Sequence, residues 1–262
     1  MSAYVKPEHL QPHLSRPQLW RRLLAEAVGT GLLVTVVVGS GIAAQRLSPG
    51  NVGLQLLENS TATVFGLAVL ILVFGPVSGA HFNPVVSAVD CVVGRRTRAG
   101  LPPMDVAAYT VAQVAGAVLG AVLANVMYGL AAVEISTHAR ASRPAALAEV
   151  VATGGLIAVI FALARTGRGA LTAAAVGAYI GAAYWFTSST SFANPAVTIG
   201  RVFTDTFAGI APASVPAFVT AQVIGGAVGL TLVLALYPDT TRRAVAAEHA
   251  VAARLDQLEE TS

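Results

Sequence analysis

The chain has 262 residues, 55% of them hydrophobic and only 11% charged, with a formal net charge of +3 and a mean hydropathy of +0.69. Soluble domains carry roughly 25% charged residues, so a chain this apolar cannot cover its surface with polar groups and takes a bilayer as its solvent. A single cysteine, Cys91, excludes an internal disulfide framework and a cysteine-based metal cluster. The five histidines are scattered without metal-ligand spacing, and the arginines sit in short clusters between apolar runs, where topology rather than nucleic acid accounts for them.

Residues 1–20 are polar and carry Pro7, Pro12 and Pro17 without the apolar core of a signal peptide, which predicts a flexible cytoplasmic tail. A helix needs about 20 apolar residues to cross the hydrocarbon core. Six segments meet that length: Leu23 to Ala44, Thr61 to Val77, Val106 to Leu130, Leu147 to Ala164, Leu171 to Thr187 and Val215 to Tyr237. Two apolar pieces are too short to span, Asn83 to about Val93 and Asn194 to about Phe203. Residues 238–262 are charged and Ala-rich and predict a cytoplasmic C-terminal tail. The channel domain is thus residues 21–237, with halves at about 21–130 and 144–237.

Loop charge predicts the orientation. With both termini inside, the cytoplasmic segments hold Arg16, Arg21, Arg22, Arg95, Arg96, Arg98, Arg165, Arg168, Arg242 and Arg243, against Arg46, Arg140, Arg143 and Arg201 outside. This is the asymmetry of the positive-inside rule. The two short pieces then enter from opposite faces. Glycine pairs four residues apart (Gly116 and Gly120, Gly177 and Gly181, Gly225 and Gly229) are expected to let helix backbones pack closely in lipid.

The sequence repeats itself. Glu26 lies in Ala-Glu-Ala-Val-Gly-Thr and Glu149 in Ala-Glu-Val-Val-Ala-Thr. The short pieces open Asn83-Pro84-Val85-Val86 and Asn194-Pro195-Ala196-Val197. The third and sixth spans carry Ala112-Gln113 and Ala221-Gln222, each followed by glycine. An odd number of spans per repeat turns the second half upside down, which puts a solute pathway between the halves near the midplane.

Asparagine is a strong helix N-cap and proline is favoured at the first helical position. Each Asn-Pro therefore opens a half-helix, and non-helical backbone at this depth is tolerated only where it lines a cavity or is buried in protein. Two half-helix N-termini meet there, each carrying roughly half a positive charge, which repels cations and protons. The asparagine amides are expected to stay free to donate to a passing solute. Glu26 and Glu149 would cost several kcal/mol if buried unpaired. Gln113, Gln222 and loop amides are their expected partners, and a proton relay is the alternative role.

These residues resemble the aquaporin and aquaglyceroporin (major intrinsic protein) family over about residues 20–237. Ser78-Gly79-Ala80-His81-Phe82-Asn83-Pro84 looks like its first signature loop and Asn194-Pro195-Ala196 like its second. The resemblance implies an all-α fold of six transmembrane helices plus two re-entrant half-helices, assembled as a homotetramer in the cell membrane, with no cofactor and no nucleic-acid partner. Val85 stands where the family usually has alanine, and Val197 where most members have the filter arginine. Counting back without gaps, the remaining filter positions fall on Thr63 (or Phe65), Ala182 and Ser191. That filter would be wide and arginine-free, suited to water, polyols and metalloid hydroxides such as arsenite, as in an arsenic-linked bacterial subgroup. A water-selective pore and a proton-coupled transporter are the competing readings. An enzyme is not expected, because no nucleophile, base and orienter occur together, and Ser191 lacks a nearby base. His81 is expected beside the pore, and Cys91 in packing. Arg201, four residues after Val197, is expected one turn above the filter, either facing the mouth or paired with Asp205.

Overall fold

A computed structural model describes residues 16–95 and 100–237. The C-terminal tail, residues 1–15 of the N-terminal tail, and loop arginines 96 and 98 lie outside the described residues. Among the described residues eight α-helices follow in chain order: α1 (Leu19–Leu47), α2 (Val52–Ser78), α3 (Pro84–Gly94), α4 (Pro103–Met127), α5 (Arg143–Arg165), α6 (Thr172–Phe186), α7 (Pro195–Gly200) and α8 (Val215–Leu236). Six are long and apolar enough to cross a membrane, α6 and α8 with a short 3-10 turn at their start. The other two, α3 and α7, are the short pieces.

All helix ends but the start of α2 lie within four residues of the sequence reading, and two of the differences have a local cause. Helix α2 begins at Val52, nine residues before the expected Thr61, because Asn51 caps it by accepting from the Leu54 amide. Gln55, Glu58, Asn59 and Ser60 break the apolar run of its first turns and hide them from hydropathy, but two of these residues tie the segment to α1 and its C-cap. Gln55 donates to the Ser48 carbonyl at 2.9 Å and Asn59 to the Val37 carbonyl at 2.8 Å. Helix α7 is shorter than expected. It stops at Gly200 and tightens into a 3-10 turn over Arg201–Phe203.

The repeat is visible in the packing, where α1 pairs with α4 and α5 with α8. The glycine pairs set these distances. A Cβ added to Gly116 would lie 2.0 Å from the Ala27 carbonyl oxygen, and one on Gly120 2.1 Å from that of Gly31. In the second half, Gly225 and Gly229 meet the carbonyls of Val150 and Gly154 in the same way, at 2.6 and 2.3 Å. Gly177 and Gly181 seat α6 on Val64 of α2. Lipid tails are as apolar as leucine, so close backbone contact of this kind, rather than hydrophobic burial, holds such helices together. The outward faces stay apolar, with Phe65, Leu72, Val111, Leu119 and Leu232 exposed.

Candidate functional site

Each half-helix is held by one buried glutamate. Glu26 Oε1 accepts from Ser78 Oγ (2.6 Å) and the His81 amide (3.0 Å), and its Oε2 from the Phe82 amide and Gln113 Nε2 (both 2.7 Å). Glu149 Oε1 accepts from the Phe192 amide (2.9 Å), and its Oε2 from the Ala193 amide (2.8 Å) and Gln222 Nε2 (2.6 Å). Both glutamates are 0% exposed. The loops they grip are strained at matched places. Ala80 and Phe82 have φ of +49° and +50°, and Ser191 and Ala193 both +50°. A non-glycine residue in this left-handed region costs of order 1–3 kcal/mol and persists only where its surroundings enforce it. Carboxylates bonded to the amides in and beside these turns do that enforcing.

The loops deliver two asparagines. Asn83 Oδ1 accepts from the Val85 amide, and Asn194 Oδ1 from the amides of Ala196 and Val197. The side chains also cross between halves: Asn83 Nδ2 donates to the Ala193 carbonyl and Asn194 Nδ2 to the Phe82 carbonyl, each at 2.7 Å. This corrects the expectation of free amides. One hydrogen of each amide group ties the halves together. Behind the caps, Gln113 also donates to Ser87 Oγ and Gln222 to Thr198 Oγ1, and each hydroxyl donates to the carbonyl of its own asparagine. The half-helices thus meet N-terminus to N-terminus, and their C-terminal ends lead away in opposite directions.

A cavity of about 210 Å³ runs between the halves past both asparagines. Leu33 and Val37 of α1, Leu67 and Ile71 of α2, and Leu156 and Ile160 of α5 form apolar walls. His81 lines it, with Nδ1 3.1 Å from Ser87 Oγ. Asp90 lines one end, where it accepts from the Leu101 amide, and Thr63, Ser191, Val197 and Arg201 also lie in the wall. Pro84, Pro195 and Ala196 build the half-helix starts, and Cys91 is buried.

Three expectations are corrected. Ala182 is exposed and does not line the cavity. The inward stripe of α6 is Val176, Ile180 and Tyr184, at four-residue spacing, and residue 182 falls on the opposite side of the helix. Tyr184 is the residue that the gapless count missed, and its hydroxyl lies 3.2 Å from Thr63 Oγ1 across the α2–α6 contact. Phe65, the alternative to Thr63, is 67% exposed on the outer face. Of its two expected placements Arg201 takes the one facing the pore, lining the cavity, and it does not pair with Asp205. Arg201 is 3% exposed, its guanidinium carbon lies 3.5 Å from the Phe192 ring centre, and its Nε donates to the Ala208 carbonyl. Asp205 turns to the other side, where the Thr137 backbone amide (2.8 Å) holds its carboxyl below the usual carboxylate range, helped by the Thr137 hydroxyl and nearby His138. The 3-10 turn after α7 explains the swing, since it places Arg201 and Asp205 off the single helix that an i,i+4 pair would need.

Val85 has a local reason. A Cβ on Gly226 of α8 would lie 2.4 Å from Val85 Cγ1, so the larger side chain fills space that a glycine leaves open, away from the cavity.

Comparison with known proteins agrees with this architecture. Residues 13–191 match the family model "Major intrinsic protein". The chain is 50% identical over 214 residues to an aquaglyceroporin, AqpS, of Rhizobium meliloti, covering 82% of this chain and 89% of that one. It is 30% identical over 221 residues to a probable aquaporin, NIP7-1, of Arabidopsis thaliana, covering 80% and 74%. The solved aquaglyceroporin of Plasmodium falciparum has the same fold, with a TM-score of 0.59 at 22% identity over 82% of this chain and 96% of that one. Six apolar helices, paired re-entrant half-helices crossed by their asparagines, and these likenesses converge: the chain belongs to the major intrinsic protein family, and is a multi-pass membrane channel rather than an enzyme.

Proposed function

We propose that this channel conducts glycerol-sized polyols and neutral metalloid hydroxides such as arsenite as well as water, through the cavity between its halves. The observation that carries the reading is Val197: a short apolar side chain lines the wall at the third position after Asn194, where the resemblance puts a constricting arginine. Thr63 and Ser191 beside it are also small. The relatives described as an aquaglyceroporin and, at 32% identity over 175 residues, as a propanediol uptake facilitator of Citrobacter freundii support a solute larger than water. Asn83 and Asn194 offer the midplane donors, Thr63, Ser191, Val197 and Tyr184 form the filter, and Glu26, Glu149, Gln113 and Gln222 brace the loops. A homotetramer with one pore per subunit and both termini in the cytoplasm completes the reading, the orientation resting on arginine placement.

A water-selective pore is the second reading, and Tyr184 and Arg201 favour it because both are bulky and line the same cavity. Stopped-flow measurement in proteoliposomes separates the two. Glycerol and arsenite fluxes above those of empty vesicles are expected for the parent protein. Val197→Arg should reduce glycerol flux at least tenfold and water flux only severalfold. Water conduction with no glycerol or arsenite flux would establish the narrow filter instead.

A further inference from the structure

Arg201 is bound to the protein in an unusual way for a buried cation. Its ring contact is with Phe192 and its one protein hydrogen bond among the described residues runs from Nε to the Ala208 carbonyl. A guanidinium has five N–H donors, so the four on its two terminal nitrogens have no protein acceptor. Neither nitrogen is among the sealed, partnerless atoms of the described residues, and what stays accessible of this residue faces the cavity it lines. Among the described residues no carboxylate is in ion-pair contact with it, and Glu149 acts on it only through space. Asp205 is engaged with Thr137, and both oxygens of Glu149 are held by loop amides and Gln222. Arg140 adds a second cation 5.5 Å from the Phe192 ring centre, but its Nε and Nη2 are spent on the carbonyls of Gly209 and Phe207. On the same cavity wall, Ser191 Oγ is buried and has no partner among the described residues.

We propose that the Arg201 end of the pore is a binding subsite for small carboxylate-type oxyanions, with the free guanidinium donors of Arg201 as its ligands, joined by the Ser191 hydroxyl after a χ1 rotation that brings its sealed, partnerless oxygen into the cavity. Arginine's planar fork suits two acceptor oxygens on one centre. The anion stops there. Further in, the walls of Leu33, Val37, Leu67, Leu156 and Ile160 offer a charge stripped of water no partner, and the Asn83 and Asn194 amides, each with one hydrogen already spent between the halves, replace little of its hydration. A bound anion therefore occupies the mouth and slows neutral solutes. The inference rests on the passive-pore reading.

The test uses full-length protein in proteoliposomes, with formate exchanged for chloride on both faces at constant ionic strength, reading glycerol and water flux. Formate should block both fluxes in the parent where chloride does not. The half-blocking concentration should rise at least tenfold in Arg201→Gln and severalfold in Ser191→Ala, with Arg201→Lys in between because it keeps the charge and loses the fork. No block, equal potency of formate and chloride, or equal half-blocking concentrations in parent and Arg201→Gln would overturn the subsite. If Arg201→Gln does not fold, Ser191→Ala and Arg201→Lys decide, and unchanged block in both overturns it. Absence of glycerol flux without formate is a failure of the pore reading alone. Formate is then scored by its effect on the thermal unfolding of purified protein, where stabilisation of the parent that Arg201→Gln loses supports the site and no stabilisation overturns it.

Discussion

Glu149→Ala is expected to destroy the second re-entrant loop and leave no functional protein. Three buried donors lose this acceptor together: the amides of Phe192 and Ala193, which have no other among the described residues, and Nε2 of Gln222, which keeps Thr198 Oγ1. Leaving a buried donor unpaired costs about 1–3 kcal/mol, so the sum is on the order of 3–5 kcal/mol even with some relaxation. The loop it releases is strained at Ser191 and Ala193, where it keeps only the Asn83 bond to the Ala193 carbonyl and the Ser189 bond to the Ser191 amide. That total is a large fraction of the stability of an ordinary folded protein. Glu149→Gln keeps one acceptor oxygen but sets an amide donor against donors, and should be intermediate. Thermal unfolding in detergent and the yield of monodisperse protein read the result. Glu26→Ala is expected to behave alike, since Glu26 holds His81, Phe82, Ser78 and Gln113 in the first half. An unfolding midpoint for Glu149→Ala equal to the parent's would show that the carboxylate is not the brace.

Asn194→Asp is expected to convert a pore closed to protons into one that leaks protons and small cations. Aspartate caps helices as well as asparagine does, so α7 keeps its N-cap. The change places a negative charge where two half-helix N-termini together supply about one positive charge, and that removes the barrier to cations. It also replaces the donor to the Phe82 carbonyl by an acceptor, which loosens the tie between halves. Retained water flux in the variant separates the electrostatic effect from unfolding. Proton conductance, read with a trapped pH dye, should rise at least tenfold over the parent. A variant as proton-tight as the parent, with water flux intact, would mean that proton exclusion lies elsewhere in the pore.

The costly chemistry was legible in the sequence. Glutamates in an apolar span need partners, and Asn-Pro in a span must open a helix. Residues this constrained, repeated in order as Glu26, Asn83, Gln113 and Glu149, Asn194, Gln222, fix a topology. The glycine pairs were legible for a similar reason, since each marks a backbone approach within about one atom's diameter. The filter was less legible. Gapless counting carries the error of every loop length into a helix phase, and a shift of two residues on α6 moves the reading from the inward Tyr184 to the outward Ala182. The four-residue stripe of Val176, Ile180 and Tyr184 was the available signal. Facing the pore was one of the two placements read for Arg201, but its contacts with Phe192 and Ala208 were out of reach because loop geometry rather than spacing sets them. The start of α2 was hidden because hydropathy reads Gln55 and Asn59 as loop, although both are buried and bonded to α1.

The central claim is passive, proton-tight passage of small neutral solutes between the two halves. Glycerol flux in proteoliposomes, measured in both directions with and without an imposed pH gradient, tests it most directly. The account predicts flux linear in glycerol concentration, equal in both directions, unchanged by the gradient and accompanied by no proton current above that of empty vesicles. Saturable uptake that accumulates glycerol against its gradient, driven by the pH difference, would contradict it and identify a coupled transporter.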